Sequence, residues 1–116
     1  LYLAYKKYLK ENGLPLFSTR FEAWKYGPVI RFLHDKLKHY KDNPIEELIE
    51  DGSGSVLVVK RNDSIKFMKE IWDDYKSYNG IELSDMICKK GFAWVKAVMD
   101  GTFILDDDNI RNEQDY

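Results

Sequence analysis

The chain has 116 residues, of which 44% are hydrophobic, 33% charged and 15% aromatic, with a net charge of −2. That length supports one domain with a single core, the composition is that of a folded chain, and no run approaches the roughly 20 apolar residues that span a bilayer. The one cysteine, Cys88, excludes an internal disulfide and a thiolate metal cage and makes a cytoplasmic address the default expectation.

Taken in chain order, Leu1, Tyr5, Tyr8 and Leu9 recur at helical spacing with Lys6, Lys7 and Lys10 opposite them. This predicts an amphipathic helix that stops near Gly13. Residues 14 to 27 read as a loop with a short extended stretch at Arg20–Trp24. Pro28 suits the first position of a helix, where its missing N–H is not needed, and Gly27 gives the backbone freedom to enter it. A helix is therefore expected from about Pro28 to Lys41, with Val29, Ile30, Leu33, Leu37 and Tyr40 on one face. Arg31, His34, Asp35 and Lys38 fall on the other face. Pro44 can open a short helix through Ile45, Leu48 and Ile49 that Asp51-Gly52-Ser53-Gly54 ends. Val56–Val59 is the clearest strand signal, expected to pair with Arg20–Trp24 or another extended piece.

Asn62, Asp63 or Ser64 then caps a helix to about Tyr78, whose apolar face is Ile65, Met68, Ile71, Trp72 and Tyr75. Gly80–Cys88 and Gly91–Met99 read as two more helices. The second is apolar nearly all round and is expected to be central, with Trp94, like Trp72, in the core. From Asp106 the apolar content falls, so residues 106–116 are expected to form a flexible acidic tail behind a domain at 1–105. The fold class expected is mainly α, a compact bundle of five to six short helices with a small two-stranded β element.

Charge is unevenly placed. Residues 1–41 carry nine Lys/Arg and three Asp/Glu, residues 42–51 five acids and no base, and residues 100–116 six acids and one Arg. Such blocks suit partner steering or pairing between segments. The sequence offers no positive sign of catalysis. His34 and His39 lie five apart and face different ways on a helix, which makes a poor metal pair. Cys88 sits where a free thiol behaves as a small core hydrophobe, and the Asp pairs lack apolar surroundings that would raise a pKa. No phosphate loop is present, and no cofactor or metal is called for.

A binding surface is the better reading. Arg31, His34 and Lys38 form a stripe with Lys25 and Lys41 near it, and Trp24 and Tyr26 precede it. The stripe reads either as a solvated face or as a basic patch for an acidic protein surface, where charge would raise the on-rate and set register. Trp24 either packs under the Gly-Pro turn or joins that surface; Trp, Tyr and Arg dominate interface energies. Phosphate contact is a third reading, ranked below protein binding because the pI of 5.7 and the acidic blocks oppose a polyanion.

Several of these residues lie in a recognisable order. Gly13-Leu14-Pro15-Leu16-Phe17 leads to Ala23-Trp24-Lys25-Tyr26-Gly27-Pro28-Val29, preceded by Leu1-Tyr2-Leu3-Ala4-Tyr5 and followed by Leu83-Ser84 and Ala93-Trp94. Over about residues 1–105 this closely resembles the Panacea (SocA-like) antitoxin domain, also known as phage-associated protein. There a Leu-Tyr-rich helix, a Gly-x-x-Leu loop, an Ala-Trp-x-x-Gly-Pro-Val segment and a Leu-Ser-x-x-Thr-His run precede a Pro-Trp pair. Two departures stand out: Ile87-Cys88 replaces Thr-His, and Ala93-Trp94 replaces Pro-Trp. The resemblance also implies that the chain starts at about the family's second helix, with an N-terminal helix expected before Leu1.

The implied role is a non-enzymatic antitoxin that neutralises a cognate toxin protein, usually encoded beside it in bacteria or phages, by direct contact. Trp24, Tyr26, Arg31, His34 and Lys38 are the expected partner-facing residues, with Ala23, Gly27 and Pro28 as their scaffold. Delivery of the toxin to a protease and nucleic-acid regulation are the alternatives.

Overall fold

The computed structural model describes residues 1–41 and 62–114. Among these, helix α1 (Tyr2–Asn12) leads to a hairpin of β1 (Glu22–Trp24) and β2 (Gly27–Val29), then to α2 (Arg31–Leu37) and a 3-10 turn (Lys38–Tyr40). Helices α3 (Asn62–Tyr75), α4 (Gly80–Lys90), α5 (Phe92–Met99) and α6 (Asp107–Arg111) follow. The mainly α class with a two-stranded sheet is as expected. The short helix opened by Pro44 and the Val56–Val59 strand lie outside the described residues.

The core is aromatic around α1. Tyr2 and Tyr5 meet Phe21 edge-on, each at 5.2 Å between ring centroids, and Tyr5 meets Phe17 at 4.9 Å. Leu3, Leu9, Ala23, Ile30, Ile87, Ala93, Ala97, Leu105 and Ile110 complete it. Gly13 closes α1 at φ 71°, its N–H donating to the Leu9 carbonyl, the helix stop the sequence predicts.

The Gly27-Pro28 step does not start a helix. It forms β2, paired antiparallel with β1 in the register Glu22↔Val29, Ala23↔Pro28, Trp24↔Gly27. Proline is tolerated there because β2 is an edge strand and the N–H of Ala23, opposite Pro28, donates away from it to the Phe103 carbonyl at 2.8 Å. Gly27 takes φ 130°, which turns the chain through Lys25-Tyr26 and is accessible to glycine. The other edge of β1 is bridged at Glu22↔Ile104, with the Leu105 N–H donating to the Phe21 carbonyl at 2.9 Å. α2 starts only at Arg31, after extended Ile30.

Three other expectations are corrected by packing at long range. The buried stripe of α1 runs through Tyr2, Tyr5, Lys6 and Leu9, so Lys6 is 4% exposed rather than on a wet face. On α3 the side turned to α1 is Phe67, Ile71 and Tyr75; Phe67 meets Tyr8 at 5.7 Å and Lys7 pairs with Glu70 at 3.3 Å. Trp72, on the alternative stripe with Ile65 and Met68, is therefore 66% exposed and not core. α5 is buried on one side only, at Ala93 and Ala97, while Phe92, Val95 and Met99 face out.

Residues 106–114 are packed, not loose. Asp106 caps α6 by accepting from the Asp108 and Asn109 N–H groups. Ile110 and Glu113 are each 1% exposed. Glu113 accepts the Ala93 N–H at 2.7 Å near the start of α5 and pairs with Lys6 at 3.4 Å. Lys6 also donates to the Gln114 carbonyl at 2.7 Å, Lys10 donates to the Glu113 carbonyl, and the Tyr5 hydroxyl donates to Asp107 at 2.7 Å. Burial and the bond to Asp107 push the Tyr5 phenol well above its ordinary pKa.

Candidate partner-binding site

The hairpin and α2 bring Trp24, Arg31 and His34 together. Trp24 is the last residue of β1, and Arg31 and His34 lie one turn apart on α2. The His34 ring lies 4.6 Å from the Trp24 ring centre, and the Arg31 guanidinium lies 5.4 Å from it, within cation–π range. A residue outside the predicted set organises them. Glu22 takes the Arg31 Nε and Nη2 donors at 2.9 and 2.8 Å in a two-point carboxylate–guanidinium pair, and its Oε1 also receives the Trp24 indole N–H at 3.4 Å. The Arg31 bond holds the Glu22 carboxyl below the usual carboxylate range.

The hairpin itself is anchored from behind. The Trp94 indole N–H donates to the Trp24 carbonyl at 2.9 Å, and the Ser84 hydroxyl donates to the Tyr26 carbonyl. Trp94 is half-buried against the core, so the expectation that it packs inward holds in part. These bonds link the Leu83-Ser84 and Ala93-Trp94 steps directly to the Ala23–Val29 segment. Ala93 in place of proline keeps an N–H, and Glu113 takes it.

The remaining predicted residues surround this cluster at different places. Tyr26, at the hairpin turn, is 74% exposed with the Lys25 ammonium 5.3 Å from its ring. Lys38 lies exposed at the start of the 3-10 turn, one turn beyond His34. His34 Nδ1 lies 3.3 Å from the Asp35 carboxylate, and His39 stacks with Tyr40 at 4.2 Å, so the two histidines point to separate neighbours. Among the described residues, no group of three or more His, Cys, Asp or Glu could hold a metal. Cys88 is half-buried on α4, and that burial pushes its thiol pKa up, away from a nucleophile. Among the described residues, no helix is long and apolar enough to cross a membrane.

An aromatic hairpin rooted by the Ser84 and Trp94 side chains is the arrangement these motifs build. The family model described as antitoxin SocA-like, Panacea domain, matches residues 1–95. The chain belongs to the SocA-like Panacea antitoxin family. The match takes in the hairpin, α2, α4 and the first half of α5; residues 96–114, which carry the Glu113 contacts, lie beyond it. No curated protein and no solved structure matches the chain.

Proposed function

We propose that this chain is a cytoplasmic antitoxin that neutralises a cognate toxin, encoded beside it, by direct protein–protein contact and without catalysis. Trp24, Tyr26, Arg31, His34 and Lys38 form the contact face. The observation that carries the reading is the Trp24–Arg31–His34 cluster, an indole with two partly exposed cationic or polar groups held against it on a hairpin fixed from behind. Rigid aromatic and Arg anchors lose little side-chain entropy on binding and dominate interface energies. The face is basic: Lys25, Arg31, Lys38 and Lys41 stand against Glu22 and Asp35. An acidic toxin surface complements it and would be steered towards it, with an on-rate that falls as salt rises. Binding by occlusion needs no further machinery.

Replacing Arg31, His34 and Lys38 together by Ala tests the assignment, because each is exposed and such changes usually move stability by no more than about 0.5 kcal/mol each. Calorimetric titration against the neighbour-encoded toxin should show at least a roughly tenfold loss of affinity, about 1.4 kcal/mol. Unchanged affinity in a folded variant would remove these residues from the interface.

A further inference from the structure

α5 begins without a cap of its own. Gly91, the residue before it, has no side chain to take the N–H groups that a first turn leaves without an intrahelical acceptor. Glu113 supplies the cap from 20 residues ahead. Its buried carboxylate takes the Ala93 N–H at 2.7 Å and places negative charge at the positive end of the helix. α5 in turn holds the hairpin at two points. Trp94, the residue after Ala93, donates its indole N–H to the Trp24 carbonyl at 2.9 Å. Further along, the Ala97 carbonyl accepts the Phe103 N–H at 3.1 Å, and the Phe103 carbonyl accepts the Ala23 N–H at 2.8 Å. Both routes end on neighbouring residues of β1, Ala23 and Trp24.

We infer that Glu113 is a positioning residue for the Trp24 hairpin. The carboxylate fixes the first turn of α5, and α5 fixes the strand that carries Glu22 and Trp24. Lys6 of α1 pairs with the same carboxylate at 3.4 Å, so α1, the start of α5 and the segment after α6 meet at one buried group. The hairpin lies inside the family-matched residues 1–95, whereas the group that sets its place lies outside them. The consequence for toxin binding rests on the reading of the hairpin as the contact face; the coupling itself is a property of the free chain.

Native-state hydrogen exchange by NMR tests this without a toxin. The rates of the Trp94 indole N–H and the Ala23 amide are each divided by that of the Ile87 amide, buried in α4. A loss of global stability raises all three together and leaves the ratios unmoved, whereas a loosened hairpin raises the ratios. In Glu113→Ala both ratios should rise at least about tenfold, the scale of a hydrogen bond to a charged group. Should that variant not fold, Glu113→Asp, which keeps the charge but draws it back by one methylene, is read in the same way. Glu113→Gln keeps an acceptor for the Ala93 N–H and should stay within about twofold of the wild type. Ile110→Ala, which opens a cavity in α6 and leaves the carboxylate in place, should not move the ratios. Ratios unchanged by loss of the carboxylate overturn the inference. So does an equal rise in Ile110→Ala, or a Glu113→Gln variant as open as Glu113→Ala. Toxin binding is not read in this assay, so its result is independent of the antitoxin assignment.

Discussion

Glu113→Ala should be among the most damaging single substitutions in the chain, although it lies outside the family-matched segment. The side chain is 1% exposed, accepts the Ala93 N–H at 2.7 Å and stands 3.4 Å from the Lys6 ammonium, itself 4% exposed. Removing the carboxylate takes a counter-charge from a buried cation and the acceptor from a buried N–H. Breaking a buried pair from one side costs about 3–5 kcal/mol, a large share of the roughly 5–15 kcal/mol that holds a domain folded. For a chain of this length the melting temperature should fall by roughly 10–25 °C. Glu113→Gln keeps an acceptor for Ala93 and should cost less. Lys6→Met combined with Glu113→Leu should recover much of the loss, since replacing both partners removes the buried charges together; a coupling of about 1–3 kcal/mol is expected. Urea unfolding of the wild type, Glu113→Ala, Glu113→Gln, Lys6→Met, Glu113→Leu and the double variant measures all of this. A cost below about 1 kcal/mol for Glu113→Ala would mean that the pair is solvated and that residues 106–114 are the loose tail the sequence suggests.

The Glu22 carboxyl should titrate, by NMR, below the ordinary value of about 4.3, and Arg31→Ala should bring it back up. Because its folded pKa is depressed, the pair's contribution is present above that ordinary value and lost as pH falls through the folded one; an ordinary midpoint would show that the pair does not persist in solution. Cys88 should react with a thiol reagent at pH 8 more slowly than free cysteine, because burial raises its pKa, and urea should abolish the difference. Gly27→Ala should cost about 1–3 kcal/mol through φ 130° alone, since an added Cβ meets nothing within 4 Å. It should also weaken toxin binding by disturbing Trp24; a neutral result would show that the hairpin tolerates another turn.

What the sequence made legible was local. α1, α3, α4 and α5 follow from apolar spacing and their stops, and α1 ends at Gly13 as its left-handed cap requires. The faces those helices bury were less legible, because a face is chosen by a partner far along the chain. Lys6 reads as a wet lysine until Glu113 is placed beside it, and Trp72 reads as core until α1 is seen to take the Phe67–Ile71–Tyr75 side instead. Gly27-Pro28 is ambiguous in the sequence because a proline's fixed φ suits both a helix start and a non-hydrogen-bonded edge position. The alternation of Phe21 and Ala23 with Glu22 and Trp24 carried the missing signal. Followed through a two-residue turn to Gly27, it puts Glu22 opposite Val29 and so within reach of Arg31. Within the predicted site, proximity of Trp24, Arg31 and His34 was legible from one loop and one helix, whereas the carboxylate that orders them was not.

The most direct test of the antitoxin assignment is capture and rescue in the source organism's own genomic setting. The tagged chain serves as bait at moderate salt, and the bound protein is identified by mass spectrometry. The account predicts one stoichiometric partner encoded next door, which arrests growth when expressed alone, is tolerated with this chain, and is no longer neutralised by the Arg31, His34, Lys38 triple-Ala variant. Recovery of nucleic acid without protein, or a neighbouring product that is harmless alone, would contradict it.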